Sequence, residues 1–504
     1  MTITWSRAGG VLAHPTSLPG PHGVGDLGPG ADQFFDFLAT AGQTLWQTLP
    51  LGPTGYGNSP YAALSAFAGN PALVSPERMI DDGLLTPEEI AAAPSFPQRR
   101  VDYDAATTWK MRLLSSACAR FFEQPEHPLR AEFDAFCAAN DSWLEDFALF
   151  MALKGAHGQR AWVEWPRRYA QRQPQALAEA RRTLADTISL HRFVQFLFFR
   201  QWARARADAA RRGIRIIGDL AIFVAHDSAD VWSHRNYFSL DNDGQPTVVA
   251  GVPPDYFSLT GQRWGNPLYR WDAMAASGFQ WWIERVRQAL KVYDIIRLDH
   301  FRGFESYWEI PGAAPDAVQG SWQPGPGAPL FTAIREALGE VPFIAEDLGV
   351  ITPEVRALQR ELGFPGMRIL QFAFGGSARN RDLPHNYTSH SVVYTGTHDN
   401  DTTRGWFEAR TGHEREYALQ YLSCEPDDVT WAMIRAAYAS VARLALVPLQ
   451  DVLNESSEGR MNYPSRADGN WEWRYVEADL TFSQAQRLRA LTELYGRDSR
   501  SAGA

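Results

Sequence analysis

Hydrophobic and polar positions follow two alternating patterns along the chain. Short runs rich in apolar and β-branched residues, each ending near a polar residue, predict strands, and longer stretches with apolar residues three and four positions apart predict helices. Eight runs are strand candidates: 11–13, 44–49, 215–219, 294–299, 342–346, 367–372, 392–396 and 446–451. Pro448 weakens the last of them, because proline has no N–H to donate to a neighbouring strand.

Helical patterns lie between the strand candidates. The spacing typical of a helix packed against a sheet is present at Phe279, Trp282, Ile283, Val286 and Leu290. Thr352 followed by Pro353 predicts the start of another helix, and Gly363 predicts its end.

Eight strands alternating with helices favour a parallel sheet, and eight is the number that closes a (β/α)8 barrel. An open, doubly wound sheet is the alternative. The predicted fold class is α/β: a single catalytic (β/α)8 TIM barrel over residues 1–504 with large helical and loop insertions. Residues 85–190 are expected to be a helical insertion between strands two and three. Residues 225–275 are expected to be a substrate-binding loop insertion between strands three and four, because loops this long are uncommon unless they bind something.

A carboxylate stands at or just past the end of five different strand candidates: Asp219, Asp299, Glu346, Asp399 and Asp451. In a barrel these strand ends meet on one face, where catalytic groups lie. Each acid alone is also compatible with capping the following helix, the interpretation kept for Asp451. Glu346 with Asp347 is compatible with a solvated pair. Several like charges brought together oppose folding, so their convergence predicts a functional site.

Glycosidic bond cleavage is the chemistry that uses two or three carboxylates without a metal. One carboxylate attacks or stabilises the anomeric carbon, and a second, held protonated, gives its proton to the leaving oxygen. Binding of Mg²⁺ or Ca²⁺ is the less favoured alternative, because the sequence has no spaced acidic loop and no H-E-x-x-H motif. We therefore expect neither a metal nor a cofactor.

Composition narrows the class of protein further. The 504 residues are 45% hydrophobic and 21% charged, which is typical of a globular chain. The net charge of −10 and the lack of a Lys/Arg block argue against nucleic acid as a partner. No apolar run approaches the ~18 residues of a membrane helix, and no secretory signal is expected. Three cysteines, without a C-x-x-C motif, suit a reducing cytoplasm.

Nine segments carry more specific motifs. They are HPTSLPGPHGVGDLG (14–28), LPLGPTGYGNSPYAALSAFAGNP (49–71), WLEDFALFMALK (143–154), GDLAIFVAHDSADVW (218–232), AGVPPDYFSLTGQRWGNPLY (250–269), IIRLDHFRG (295–303), IAEDLG (344–349), YTGTHDNDT (394–402) and NWEWR (470–474). In this order they resemble the 4-alpha-glucanotransferases, also called amylomaltases or disproportionating enzymes, which are relatives of the alpha-amylase barrel enzymes.

The resemblance implies a role for each candidate catalytic group. Asp299 is implied as the nucleophile that forms a covalent β-glycosyl intermediate, and Glu346 as the acid and then the base. Asp399 is implied to bind sugar hydroxyls and to stabilise an oxocarbenium-like transition state. Arg297 is expected to pair with Asp299 and keep it ionised, since a nearby cation lowers a carboxyl pKa. Asp219 is expected to support these groups without taking part in the chemistry.

The same resemblance implies binding groups around the reacting sugar. Tyr61 is expected to stack on the sugar at the cleavage point, with Ser59 nearby, and His398 to hydrogen-bond the same sugar. Trp264 is expected to form part of the acceptor wall, and Asn462 to lie near the donor. Core packing is the alternative for Tyr61 and Trp264.

Other positions concern longer chains or depart from the family pattern. Tyr56, Tyr256 and Phe257 are expected in loops that grip longer glucans, and His300 is compatible with a supporting or a purely structural role. Gly375 stands where the family commonly has an acid. One hydrogen bond on the donor side is therefore either missing or supplied by Asp382. Leu259 and Ser465 stand where an acid and a glycine are usual, so chain-length preference and the balance of transfer against hydrolysis are open.

The implied function is transfer of an alpha-1,4-glucan segment to the 4-hydroxyl of glucose or of another glucan by a retaining double displacement. Retention predicts that the carboxyl groups of Asp299 and Glu346 lie ~5 Å apart, against ~6.5 to 9.5 Å for inversion. An amylase-type hydrolase would use the same residues. A non-catalytic glucan-binding barrel is disfavoured because all three acids are present.

Overall fold

The computed structural model describes residues 5–254, 258–464, 466 and 468–498. These described residues form twelve strands. In chain order the strands are β1 (Ala8–Leu12), β2 (Leu45–Gln47), β3 (Arg215–Leu220), β4 (Val248–Val252), β5 (Gln262–Pro267), β6 (Ile295–Leu298), β7 (Ser306–Pro311), β8 (Ser321–Pro324), β9 (Phe343–Ala345), β10 (Gly366–Ile369), β11 (Ser391–Tyr394) and β12 (Leu444–Pro448).

Nineteen α-helices are present in the same described part of the chain. They are α1 (Pro29–Thr40), α2 (Pro76–Asp81), α3 (Pro87–Ala91), α4 (Tyr103–Glu123), α5 (Arg130–Ala139), α6 (Asp141–Ala156), α7 (Arg167–Ala170), α8 (Pro174–Thr183), α9 (Ala185–Arg211), α10 (Ala229–Ser233), α11 (Trp271–Ala276), α12 (Gln280–Val292), α13 (Gly327–Leu338), α14 (Pro353–Leu362), α15 (Thr403–Glu408), α16 (Gly412–Leu422), α17 (Val429–Ala439), α18 (Leu449–Val452) and α19 (Phe482–Leu494). None of the helices in these ranges combines the length and the apolar character needed to cross a lipid bilayer.

Eight parallel strands close into a barrel in the order β1, β2, β3, β6, β9, β10, β11, β12. Each of them overlaps one of the eight strand candidates, so the predicted barrel is confirmed. The first and last strands begin earlier than expected, at Ala8 and Leu444. Pro448 is the final residue of β12, opposite Leu12, where the missing N–H interrupts no further pairing.

The barrel strands are buried on both faces, which explains why most of them carry apolar residues at consecutive positions, such as Ile216 and Ile217 in β3, instead of alternating apolar and polar residues. Alternate residues belong to two separate apolar clusters. Ile217 and Ile295 belong to the cluster built almost entirely from strand residues, inside the barrel. Their neighbours Ile216 and Ile296 belong to the larger cluster that includes the helices around it. Packing on both sides therefore fixes the direction of every side chain along these strands.

The predicted apolar stripe and the predicted helix start and end are present in the structure. α12 carries the apolar stripe that begins at Phe279, and that stripe packs in the outer cluster. α14 begins after Thr352, whose hydroxyl accepts from the N–H of Val355, and it ends at Gly363 in the left-handed conformation. These signals are local in sequence, which is why they predict the helix ends well.

Two segments extend from the barrel. Helices α3 to α8 lie within residues 85–190, between β2 and β3, and the long α9 follows them. The expectation of a loop over residues 225–275 was wrong in part, because β4 and β5 form there and join β7 and β8 in a four-stranded antiparallel sheet. The sequence of β5, QRWGNP, contains residues that strands disfavour, and its sheet is completed by residues after β6.

Two arginine side chains, the partly buried Arg7 and the buried Arg497, close the barrel where β1 meets β12. Arg7 donates to the carbonyl oxygens of Tyr495, Ser440 and Tyr438, each at 2.8 Å. Arg497 donates to the carbonyl oxygen of Ala8 at 3.1 Å. Residues at the two ends of the described chain are thus joined directly across the seam.

Candidate active site

A cleft of about 2240 Å³ opens at the carboxyl ends of the barrel strands. Its volume exceeds that of a pocket for a drug-sized ligand, which is about 300 to 1,000 Å³, so it fits a ligand of several sugar units. Of the predicted site residues, nine line this cleft: Ser59, Tyr61, Trp264, Arg297, Asp299, Glu346, His398, Asp399 and Asn462. Asp219 does not line it, and lies buried beneath it.

Asp219 and Arg297 lie side by side because β3 and β6 are paired in register at these two residues. Arg297 Nη1 donates to both carboxylate oxygens of Asp219, at 2.7 and 2.6 Å, and to Oδ1 of Asp299 at 3.0 Å. Burial opposes the charge on Arg297, but Asp219 and Asp299 outweigh it and raise the pKa of the guanidinium well above its usual value. A permanent cation therefore holds Asp299 at the cleft floor.

Gly218 makes room for this arrangement. A Cβ atom at position 218 would lie 2.1 Å from the ring of Tyr293, far inside contact distance. The glycine lets the ring pack against β3 directly before Asp219. The position of the Asp219 carboxylate thus depends on the absence of a side chain at residue 218.

Tyr61 reaches into the site from the long loop after β2. Its hydroxyl donates to Oδ2 of Asp219 at 2.8 Å, and its ring stacks on His398 with the centroids 5.1 Å apart. Burial, followed by the charge of Asp219, raises the pKa of Tyr61 well above its usual value, so the hydroxyl stays a donor. Ser59 accepts from the N–H of Tyr61 at 3.3 Å and supports the turn before it.

Glu346 lies just past the end of β9 and is held by two backbone N–H groups. His300 donates to Oε2 at 2.7 Å and Leu348 donates to Oε1 at 2.9 Å. Burial raises the pKa of Glu346 to about 7, with Arg297 lowering it and Asp299 raising it. A carboxyl group with this pKa is protonated in a large fraction of molecules near neutral pH, as a general acid must be.

His300 adopts the left-handed backbone conformation, with φ of 49°, which is uncommon outside glycine. Its N–H reaches Glu346 in this conformation, and its ring packs edge-on against Trp264 with the centroids 4.9 Å apart. Burial lowers the pKa of His300 to about 4, so the imidazole is neutral. The residue after Asp299 therefore joins the two candidate catalytic carboxylates and supports the ring of Trp264.

Asp399 is half-exposed in the loop after β11 and is held by the segment near residue 460. Asn462 Nδ2 donates to Oδ1 of Asp399 at 2.7 Å, and Arg460 donates to its carbonyl oxygen at 2.7 Å. His398 Nε2 lies 3.4 Å from Oδ2. Asp399 thus faces the cleft with its orientation fixed from two parts of the chain.

Several further expectations concern the rim of the cleft. Tyr56 lines it and is 81% exposed, so nothing in the described residues covers the ring. Leu259 is exposed, whereas Gly375 and Asp382 both line the cleft. The remaining positions, Tyr256, Phe257 and Ser465, lie outside the described residues.

Two acids near strand ends have structural roles. Asp451 does bind a helix N-terminus, but that of α15 rather than of its own helix, because it accepts from the N–H and hydroxyl of Thr403 at 2.7 and 2.6 Å. Asp347 is not a solvated partner of Glu346. It is buried, and Arg381 lies 2.9 Å from its Oδ2.

Sequence reasoning missed Arg460 and Gln371, which orient the loop around Asp399. Arg460 also donates to the carbonyl oxygen of Asn462 at 2.7 Å, and Gln371 Nε2 donates to that of Asp401 at 2.8 Å. Arg460 follows no strand directly, so the strand-end pattern gave no signal for it. Its place two residues before Asn462 was the available clue.

The site brings together three carboxyl groups in different surroundings. Within the described ranges, no group of three or more His, Cys, Asp or Glu side chains is arranged to hold a metal ion. The site instead offers a buried cation beside one carboxylate, a second carboxyl group with a pKa near neutrality, and a third that is open to the cleft. This combination suits displacement at an anomeric carbon.

Comparison with known proteins agrees with this geometry. A family model described as 4-alpha-glucanotransferase matches residues 13–479. The 4-alpha-glucanotransferase of Thermus thermophilus is 54% identical over 495 residues, which cover 97% of this chain and 98% of that protein. The chloroplastic/amyloplastic 4-alpha-glucanotransferase of Solanum tuberosum is 45% identical over 501 residues, which cover 97% of this chain and 86% of the potato protein.

A solved structure, that of amylomaltase from Streptococcus agalactiae in complex with acarbose, superimposes with a TM-score of 0.95 at 40% identity, covering 98% of this chain and 100% of that one. The amylomaltase of Corynebacterium glutamicum shares the fold, with a TM-score of 0.77 at 19% identity over 96% of this chain and 75% of that one. Together with the family model that matches nearly the whole sequence, these likenesses show that the chain belongs to the 4-alpha-glucanotransferase family and is an enzyme of that class.

Proposed function

We propose that the chain transfers segments of alpha-1,4-glucans by a retaining double displacement, with Asp299 as nucleophile and Glu346 as acid and base. The observation that carries the proposal is the contact at 2.7 Å between Glu346 and the N–H of His300, the residue after Asp299. This contact brings the two carboxyl groups to one point of the cleft. The ~5 Å separation expected for retention stays a prediction.

In the first step, Asp299 bonds to the anomeric carbon as the bond from that carbon to the departing oxygen breaks. Glu346 gives its proton to that oxygen, so the leaving chain departs as a neutral alcohol. Arg297 holds the Asp299 carboxylate in position through the 3.0 Å contact to Oδ1. Asp399 binds sugar hydroxyls as positive charge develops on the ring.

In the second step, Glu346 takes the proton of an incoming 4-hydroxyl. The oxygen of that hydroxyl bonds to the anomeric carbon as the ester bond to Asp299 breaks. A pKa of about 7 suits Glu346 for both directions of proton transfer. The configuration at the anomeric carbon is retained because it is inverted twice.

Transfer requires that a sugar reaches the intermediate before water does. Correct alignment of an acceptor gives effective molarities of about 10⁵ M or more, provided that the site excludes water. Both extensions of the barrel supply cleft walls, with Lys154 and Gln159 from the helical segment and Gln262 and Trp264 from β5. The contribution of β5 supports the proposal that residues 225–275 are a substrate-binding insertion, which together with the helical insertion at 85–190 belongs to a single catalytic domain.

The proposed partners are alpha-1,4-glucans and, as acceptor, glucose. The acarbose complex of the Streptococcus agalactiae relative supports a glucan-like ligand. Tyr61, Ser59, Trp264, His398 and Asn462 are the proposed binding groups, and Asp219 positions Arg297. All three cysteines are unpaired, which supports a reducing compartment such as the cytoplasm.

Incubation with maltotriose tests the proposal. Transfer produces glucose together with a ladder of longer oligomers, and the number of reducing ends stays constant. Hydrolysis by an amylase-type enzyme raises the number of reducing ends without longer products. A steady rise in reducing ends with no ladder would contradict the proposed transfer.

The variant Asp299→Asn tests the nucleophile. It should reduce turnover of maltotriose by at least about 10⁴-fold while binding of glucans persists, because only the attacking oxygen is lost. Asp272→Asn is the matched control, since Asp272 is an exposed acid in α11 away from the cleft. Substantial residual turnover by Asp299→Asn would rule out this nucleophile.

A further inference from the structure

We infer that Trp471 is a positioning residue of the active site, which supports the rings of Tyr61 and His398 from behind. The inference rests on the proposed function, because these two side chains are proposed to bind the reacting sugar. Trp471 itself is 7% exposed and lies outside the set of residues that line the cleft, whereas Tyr61 and His398 both line it. Trp471 therefore acts on the reaction only through its neighbours.

Three aromatic rings meet at this point of the structure. The centroid of the Trp471 ring lies 6.1 Å from that of Tyr61 and 5.9 Å from that of His398. The rings of Tyr61 and His398 are stacked on each other at 5.1 Å, so each of the three rings is packed against the other two. Aromatic pairs at such distances attract one another beyond the effect of burying their surface. The indole thus limits how far the two cleft-lining rings can tilt or move away from the cleft.

The backbone of Trp471 adopts a conformation that bulky residues seldom adopt. Its φ of 63° lies in the left-handed region, which is an outlier for a large side chain. Two hydrogen bonds of 2.7 Å maintain it, because the N–H of Trp471 donates to the carbonyl oxygen of Met461 and the hydroxyl of Tyr103 donates to that of Trp471. Residues held in such conformations by their surroundings are concentrated at functional sites. The conformation therefore supports a role for Trp471 in addition to core packing.

The backbone contact also connects Trp471 with the support of Asp399. Met461, which accepts the N–H of Trp471, is followed by Asn462, whose amide donates to Asp399 at 2.7 Å. Trp471 thus contacts two parts of the site. Its indole packs against the ring pair, and its N–H binds the segment that orients Asp399.

A displaced Tyr61 ring would disturb the nucleophile. The hydroxyl of Tyr61 donates to Asp219 at 2.8 Å, and Arg297 contacts both Asp219 and Asp299. If the ring tilts, Asp219 loses this donor, and the cation that holds Asp299 shifts with its partner. Misplacement by about 1 Å can lower a rate about 100-fold. We therefore expect the effect of removing the indole mainly in kcat.

The test compares Trp471→Leu with Trp473→Leu, a matched control from the same short segment. Trp473 is 8% exposed, but it packs in the outer core cluster, where its ring lies 6.0 Å from that of Tyr475. Both variants should lose stability in urea unfolding. Trp471→Leu should lower kcat for maltotriose at least about 30-fold with KM changed less than about threefold, whereas Trp473→Leu should keep kcat within about twofold of wild type. Trp471→Phe should recover most of kcat, because it returns a ring to the same place.

Removal of Tyr61 separates positioning from packing. In the Tyr61→Ala background one of the two supported rings is absent, so Trp471→Leu should lower kcat by a factor at least about threefold smaller than in the wild-type background. A purely structural Trp471 would have the same effect in both backgrounds. If Trp471→Leu does not fold, Trp471→Met replaces it in both comparisons, since methionine keeps more of the buried volume.

Three results would each overturn the inference: equal effects of Trp471→Leu and Trp473→Leu on kcat, the same loss with and without the Tyr61 ring, or no recovery in Trp471→Phe. The rates are measured as consumption of maltotriose and compared between variants. They do not depend on whether the products are longer oligomers or products of hydrolysis. Failure of this inference is therefore distinguishable from failure of the transfer proposal, which the product ladder of the wild-type enzyme decides.

Discussion

The backbone N–H of His300 donates to Oε2 of Glu346 at 2.7 Å, so the residue that follows Asp299 in the chain is bonded to the carboxyl group of Glu346. A second N–H, from Leu348, binds the other oxygen at 2.9 Å. These bonds favour the charged form, but burial outweighs them and raises the pKa of Glu346 to about 7. The titration of this one group governs two of the predictions below.

The rate should depend on pH through Glu346. Its carboxyl group must carry a proton in the first step, so kcat/KM for maltotriose should fall about tenfold per pH unit above an apparent pKa near 7. Initial rates of glucose release from pH 5 to pH 9 measure this limb. A rate that stays constant up to pH 9 would contradict the acid role of Glu346.

Stability should change with pH for the same reason. The unfolded chain releases the Glu346 proton near pH 4.3 and the folded protein near 7, so the free energy of unfolding falls as pH rises between these values. Glu346→Gln removes this titration. The stability of the wild-type protein relative to Glu346→Gln should therefore fall by about 3 kcal/mol between pH 4.5 and pH 8. Urea unfolding at both pH values measures the difference, and an equal gap at both would refute the raised pKa.

Arg297→Met should destabilise the protein strongly. The substitution removes the cation that contacts both Asp219 and Asp299, and breaking a buried ion pair from one side costs about 3 to 5 kcal/mol. Adding Asp219→Asn should recover part of this loss by removing one uncompensated charge. The control is Arg404→Met, whose exposed pair with Glu408 should cost less than about 1 kcal/mol in urea unfolding. Similar costs for the two arginines would mean that Arg297 does not hold a charged cluster.

Asn462→Asp should impair catalysis more than Asn462→Ala. The aspartate replaces the amide that donates to Asp399 at 2.7 Å with a second negative charge. We expect kcat/KM to fall about 100-fold for Asn462→Asp and about tenfold for Asn462→Ala, since a hydrogen bond to a charged group contributes about 1.5 to 3 kcal/mol. Because Asp399 is half-exposed, 0.5 M salt should recover part of the Asn462→Asp loss. Equal effects of the two variants would exclude repulsion of Asp399.

Gly218→Ala should destabilise the barrel by at least about 2 kcal/mol, because the added Cβ overlaps the ring of Tyr293. Gly155→Ala is the matched substitution. Gly155 lies in α6 with no atom within 4 Å of its added Cβ, so the same change there should be neutral or stabilise by up to about 1 kcal/mol. Thermal unfolding measures the change in stability caused by each substitution. Equal changes would show that the Tyr293 ring moves to accommodate the extra methyl group.

Local sequence patterns were sufficient to predict the barrel. Strands such as Ile295–Leu298 are buried on both faces, so adjacent apolar residues such as Ile295 and Ile296 make them recognisable, and Asp299 marks the point where the chain enters the cleft. The same rule found Glu346. The same rule grouped Asp219 with Asp299 and Glu346, although Asp219 lies within β3 and is buried under the cleft.

The second sheet and the support of Asp399 could not be predicted in this way. β5 and β7 belong to one sheet only because β4 pairs with both, and β7 lies beyond the next barrel strand in the chain. Arg460 binds Asp399 across 61 residues of sequence. Such contacts depend on how distant loops meet in three dimensions, which a local pattern of polar and apolar residues does not encode.

The seam between β1 and β12 has a consequence for biosynthesis. Arg7 needs the carbonyl oxygen of Tyr495, and Arg497 needs that of Ala8. During synthesis the first strand therefore has no partner on one side until β12 and the residues after it have been made. The ring cannot close while the chain grows through the other strands, so closure comes late in the folding of this domain.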